Sequence, residues 1–222
     1  MHFQAKLLPK LLLFAATILY VSDVSAHTIN YAMEKAPSSD VTWFYLKLGV
    51  QHIIPFGLDH IFFITALCLI NTKWKTILWQ ATAFTIAHSI TLALSMKNIV
   101  SVPADIVEPI IALTIAFVAV ENIFLSELKP WRLVLVFLFG LVHGLGFASS
   151  LSEIGLPRNQ FYNSIISFNL GVEIGQIAII AAIFSFLIIP FGRKKWYRSY
   201  IVFPISMLIA CVALYWTVER MI

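Results

Sequence analysis

Charge is scarce in this 222-residue chain: 12% of its residues are Asp, Glu, Lys or Arg, 60% are hydrophobic, and the mean hydropathy is +0.89. That balance excludes a soluble domain with an ordinary polar surface. Cysteine is nearly absent as well. Cys68 and Cys211 each lie in an apolar stretch and are too few for a disulfide framework or a thiolate metal cluster, so they read as small buried hydrophobes. The net charge of +4 is spread over short connections rather than gathered in a basic tract, which excludes a nucleic-acid partner. There is no P-loop, no HExxH and no recognisable Ser or Cys nucleophile arrangement, so neither ATP hydrolysis nor a familiar hydrolytic centre is encoded.

What the chain has in abundance is apolar sequence cut to lengths that fit a bilayer. Residues 1–26 read as a cleaved signal peptide: Lys6 and Lys10 precede an apolar core over 11–21, and Val24, Ser25 and Ala26 form a small-residue cleavage site. The mature chain then begins at His27, whose α-amine and imidazole make a chelating pair. A periplasmic N-terminal segment over 27–49 follows, with a short interfacial helix over 41–49 that carries Trp43, Phe44 and Tyr45. The remainder, 50–222, is expected to be one all-α membrane domain of about six transmembrane helices. They fall at 50–70, 76–96, 106–125, 131–150, 162–189 and 199–218, each near the ~20 residues that cross a bilayer. Lys73 and Lys75, then Lys129 and Arg132, then Arg193, Lys194, Lys195 and Arg198 fall in alternate connections, which the excess of positive charge assigns to the cytoplasm. Both ends of the mature chain are then periplasmic.

Ionisable groups inside these spans are the informative residues, because burying them in hydrocarbon is costly and usually serves a function. Of the six histidines, His60, His88 and His143 lie within apolar spans together with Asp59, Glu108 and Glu173, and His52 opens the first span. Imidazole with carboxylate suits a borderline divalent metal such as Ni²⁺, Co²⁺, Zn²⁺ or Cu²⁺. The candidate ligands are therefore His52, Asp59, His60, His88, Glu108, His143, Glu173 and His27. In the expected orientation nearly all of them lie in the outer half, so a single outward-facing site is the simplest arrangement.

Spacing adds local detail. Asn169, Glu173 and Gln176 stand at i, i+4 and i+7 on one face of the fifth span, which must look into the bundle. Glu108 and Asn122 share a face of the third span, whereas Glu121 is rotated by ~100° and is assigned to the cytoplasmic side. Pro55 and Gly57 interrupt the first span between His52 and Asp59. Gly140, Gly144 and Ala148, and likewise Gly171 and Gly175, repeat at four-residue intervals that let helices approach closely. The fourth and fifth spans are expected to pair through them, bringing His143 near Glu173.

Taken in order, HIIPFGLDHIFF at 52–63, FTIAHSITLALS at 84–95, VEPIIALTIAFVAVEN at 107–122, FGLVHGLGFASSL at 139–151 and FNLGVEIGQ at 168–176 closely resemble the HupE/UreJ family of bacterial membrane proteins. The form is a divergent one, with Ile53 after His52 and Asp59 seven residues on. The resemblance implies a permease for nickel or cobalt; in the inner membrane its substrate is expected to meet the His, Asp and Glu residues named above, with Glu121 passing the ion inward. A membrane metal sensor, chaperone or assembly factor and an intramembrane metalloenzyme are the alternatives. A periplasmic or outer-membrane partner that delivers the metal is left open, and the lipid bilayer is the one partner that composition requires.

Overall fold

In hydrocarbon every backbone N–H and C=O must be satisfied within its own segment, so long apolar runs become helices. The computed structural model describes residues 32–70, 73–125, 127 and 129–222, and no strand occurs among them. The expected signal peptide, the cleavage site expected after it and His27 lie outside the described residues. The main helices are α1 (Ser38–Ile53), α2 (Leu58–Leu69), α3 (Trp74–Met96), α4 (Ala104–Phe124), α5 (Arg132–Ile154), α6 (Phe161–Ile183) and α7 (Phe203–Glu219). One wide helical turn, Phe184–Ile188, prolongs α6, and another, Arg198–Val202, leads into α7. Among the described residues, five helices are long and apolar enough to cross a membrane, and a sixth span results if α1 and α2, bent by 65° where they meet, are taken together.

Five of the expected spans coincide with these helices to within a few residues. The first differs. α1 runs without a break from Ser38 past Val50, so the stretch expected at the interface, 41–49, belongs to the bundle: Val41, Tyr45, Gly49 and Ile53 form its buried stripe. The interruption comes later, at 54–57, where Pro55 and Gly57 were expected to place it.

Three helix pairs pack most extensively: α1 along α6, α3 along α5, and α4 along α7, with α2 inserted among α4, α6 and α7. Absent side chains make the first two possible. A Cβ on Gly49 would strike the Phe168 carbonyl and one on Gly171 the Leu46 carbonyl, while Gly140 and Gly144 of α5 lie against the Phe84 and His88 carbonyls of α3. The two glycine stripes therefore do not face each other, as the sequence suggested, but each faces a different helix. A row of small residues records that some backbone comes close without saying which.

Hydrogen bonds sort the chain into two ends. At one, Tyr45 donates to the Gly155 carbonyl (2.8 Å), Lys97 to the Tyr162 hydroxyl (2.7 Å) and Arg220 to the Glu108 carbonyl (3.3 Å). At the other, which carries the basic connections, Tyr197 donates to the Leu69 carbonyl (3.2 Å), and Arg198 caps the end of α4 by bonding the carbonyls of Ile123 and Leu125.

Candidate functional site

Local chemistry at 54–57 builds the core of the site. α1 ends with Ile54 in an extended conformation, Pro55 has no N–H with which to continue the helix, and the Gly57 N–H turns back to the Ile53 carbonyl (3.2 Å). A Cβ on Gly57 would collide with the His52 carbonyl, so only glycine lets the chain fold so tightly here. The last turn of α1 and the first turn of α2 thereby meet, and the rings of His52 and His60 stand 4.7 Å apart between centroids. His88 of α3 lies 6.0 Å from His52 and 6.1 Å from His60, and His143 of α5 lies 5.3 Å from His60. The fourteen-residue depth of His88 within α3 and the Gly144 contact beneath it bring these last two helices into register.

One ring nitrogen from each of His52, His60 and His88 falls within a group whose members all lie within 4.8 Å of one another. A tetrahedral ion bound at ~2.05 Å needs ligand nitrogens ~3.3 Å apart, so sub-ångström ring movements would close the set. Phe84, Phe147 and Phe168 pack around the imidazoles, with Phe147 only 3.9 Å from His52 between centroids. Inside this apolar wall, Nε2 of His52, His60 and His88 and Nδ1 of His143 are buried without a hydrogen-bond partner. Leaving such a nitrogen unmet costs ~1–3 kcal/mol, and four together are a large penalty unless something binds them.

The protons on two of the rings can be assigned. The Asn169 amide donates to the Ile165 carbonyl (2.9 Å), which turns its oxygen toward Nδ1 of His88 at 3.3 Å. An amide oxygen only accepts, so His88 carries its proton on Nδ1 and keeps a bare lone pair on Nε2. Thr114 likewise donates its hydroxyl proton to the Ile111 carbonyl (2.7 Å), so its oxygen accepts from Nε2 of His143 at 3.0 Å and leaves the lone pair on Nδ1. On both rings the nitrogen without a partner is the basic one. Outer hydrogen bonds that fix the tautomer in this way are characteristic of histidines that bind metals.

A cavity of about 420 Å³ adjoins the cluster and includes His52, Asp59, His60 and His143 in its lining, with Glu108, Trp216 and Arg220 toward its rim. Asp59 does not point at the histidines. Its carboxylate accepts from Arg220 at 3.0 Å. Glu108 is exposed and contributes its backbone carbonyl to the same guanidinium.

The remaining expected ligands and supporting residues lie elsewhere. Glu173 accepts from Thr82 (2.7 Å) and Gln176 from Thr85 (3.2 Å), so the polar face of α6 does look inward, against α3. Thr82 is six residues before His88 on α3, which sets Glu173 ~9 Å closer to the basic end than the imidazoles. It does not approach His143. At the basic end Glu121 forms a buried ion pair with Arg132 (3.0 Å), which also donates to Asn122 (3.2 Å), while Asn122 donates to the Ala66 carbonyl (2.7 Å). The Glu121 carboxylate, expected on the cytoplasmic side, is thus held by a guanidinium in this structure. Arg132 itself, read from the sequence as a loop charge, is 1% exposed.

Sequence reasoning missed Thr114, Arg132 and Arg220. Thr114 had a signal: it occupies the polar position in the buried stripe Val107, Ile111, Thr114, Val118 of α4, at i, i+4, i+7 and i+11. A family model described as HupE / UreJ protein matches residues 28–220. No curated protein and no solved structure matches the chain.

Proposed function

The chain belongs to the HupE/UreJ family, matched over nearly its whole length, and from that membership we propose that it is an inner-membrane permease for a divalent transition metal, nickel or cobalt. The observation that carries the reading is the set of four buried imidazole nitrogens, unpartnered and gathered beside one cavity. Nitrogen ligands without thiolates or a carboxylate cage suit Ni²⁺, Co²⁺, Zn²⁺ or Cu²⁺ and disfavour Mg²⁺ and Ca²⁺. The family's association with nickel and cobalt narrows the choice. His52, His60, His88 and His143 are the ligands, and Asn169 and Thr114 orient two of them. The basic connections face the cytoplasm by charge bias, so the cavity opens outward and the ion arrives from the periplasm. A divalent ion moving inward gains ~4.6 kcal/mol per 100 mV of membrane potential, which is sufficient drive without a nucleotide.

A second reading has its own support. Toward the basic end the route is closed by Phe63 and Phe84, both buried, and by the Arg132–Glu121 pair. A protein that holds the ion at the outer site and surrenders it to a maturation partner needs no path through that half. Proteoliposomes decide between the two. A permease accumulates Ni²⁺ or Co²⁺ when the interior is made negative and loses this with His60→Ala; a holding protein binds the metal, loses binding with the same substitution, and accumulates none.

A further inference from the structure

Resting on the metal-site reading above, we propose that Arg220 is the exchangeable counter-ion of the site: it holds the Asp59 carboxylate while the histidines carry no metal and yields it to an arriving divalent cation. Four neutral imidazoles do nothing to balance a double positive charge, and a buried charge without a counter-charge is strongly disfavoured. A carboxylate is required nearby. Among those lining the cavity, Glu108 is exposed at the rim, whereas Asp59 adjoins His60 in the first turn of α2. Without metal, the same carboxylate needs a cation of its own. Arg220 supplies it at 3.0 Å.

Arg220 is placed to let go. It is the capping residue at the end of α7, its side chain is 22% exposed, and its other contacts are the Glu108 carbonyl at 3.3 Å and the Trp216 ring at 5.4 Å. The contrast with the opposite end is direct, because the Arg132 side chain is 2% exposed and gripped by both Glu121 and Asn122. One guanidinium is fixed and the other is on a tether. A metal ion in the histidine cluster both attracts Asp59 and repels Arg220, so the exchange needs no other trigger.

The test measures Ni²⁺ binding, at equilibrium and by stopped flow, to the full-length protein in detergent. Wild type must bind, and His60→Ala must weaken binding; failure of either removes the metal site itself, and the counter-ion with it. Given that site, Arg220→Gln relieves the competition for Asp59 and is expected to tighten binding about two- to fivefold, in line with a partly exposed ion pair. Arg220→Met, which keeps an unbranched apolar stem without the charge, is expected to do the same, and Arg220→Lys, which keeps the charge, to stay near wild type. Asp59→Asn is expected to weaken binding and to abolish most of the gain from Arg220→Gln. Unchanged or weaker binding in both uncharged variants, with wild-type thermal melting, overturns the proposal. So does a gain that survives in full beside Asp59→Asn.

Discussion

Replacing Thr114 by valine tests the site at its least conspicuous member. The two side chains have nearly the same shape, so the change removes one hydroxyl from α4 and little else. That hydroxyl gives its proton to the Ile111 carbonyl at 2.7 Å and receives one from Nε2 of His143 at 3.0 Å. Without it the Nε2–H of His143 is buried with no acceptor, at a cost of ~1–3 kcal/mol. The ring can relieve this by moving its proton to Nδ1, but Nδ1 is the buried nitrogen that otherwise offers the lone pair, and protonation there ends its use as a ligand. Loss of an orienting partner of this kind typically lowers metal affinity ~10- to 100-fold. We expect that loss for Ni²⁺ and Co²⁺ in competition titrations against a chromophoric chelator, with recovery in Thr114→Ser. Wild-type affinity in Thr114→Val, together with a clear loss in His143→Ala, would refute the tautomer argument while leaving His143 a ligand.

Gly144→Ala places a Cβ against the His88 carbonyl and the Thr91 hydroxyl, so thermal unfolding in detergent should reveal ~1–3 kcal/mol of destabilisation and metal titration a weaker site. Glu121→Gln leaves the buried Arg132 charge without its partner and should cost ~3–5 kcal/mol. Replacing both residues by methionine should recover most of that stability; a double variant as unstable as the single would show that the pair's partners, not its charge, hold the basic end together.

Depth in an apolar segment was enough to pick out His60, His88 and His143, since a polar residue in hydrocarbon is a signal by itself, whereas His52 stood at the opening of the first span. The break at Pro55 and Gly57 was equally legible, because both residues act through their own backbones. Pairing was not. Asn169, Glu173 and Gln176 announced a shared face of α6, yet only the packed structure shows that Asn169 meets a histidine while Glu173 meets Thr82. A threonine in an apolar helix ordinarily bonds a carbonyl one turn back, as Thr114 does; its second role depends on a residue twenty-nine positions away on another helix. Arg132 sits where a topology-setting charge would also sit, and only its contact with Glu121 distinguishes the two uses.

The pairing of the helices also gives the cluster a mechanical character. His52 rides on the α1/α6 pair, His88 and His143 on the α3/α5 pair, and His60 on α2. Within each of these pairs the backbones touch at glycine, so on the metal-site reading proposed above each pair would act as a stiff lever. A bound ion tolerates only ~0.2 Å of variation in its bonds, which makes it a latch between levers. Tilting one pair against the other by a small angle releases the ion without altering any single ligand, and the ion's arrival draws the levers together. On that reading capture and release would be governed by leverage between rigid bodies, and substitutions at their seams, far from any imidazole, would change how long the ion stays.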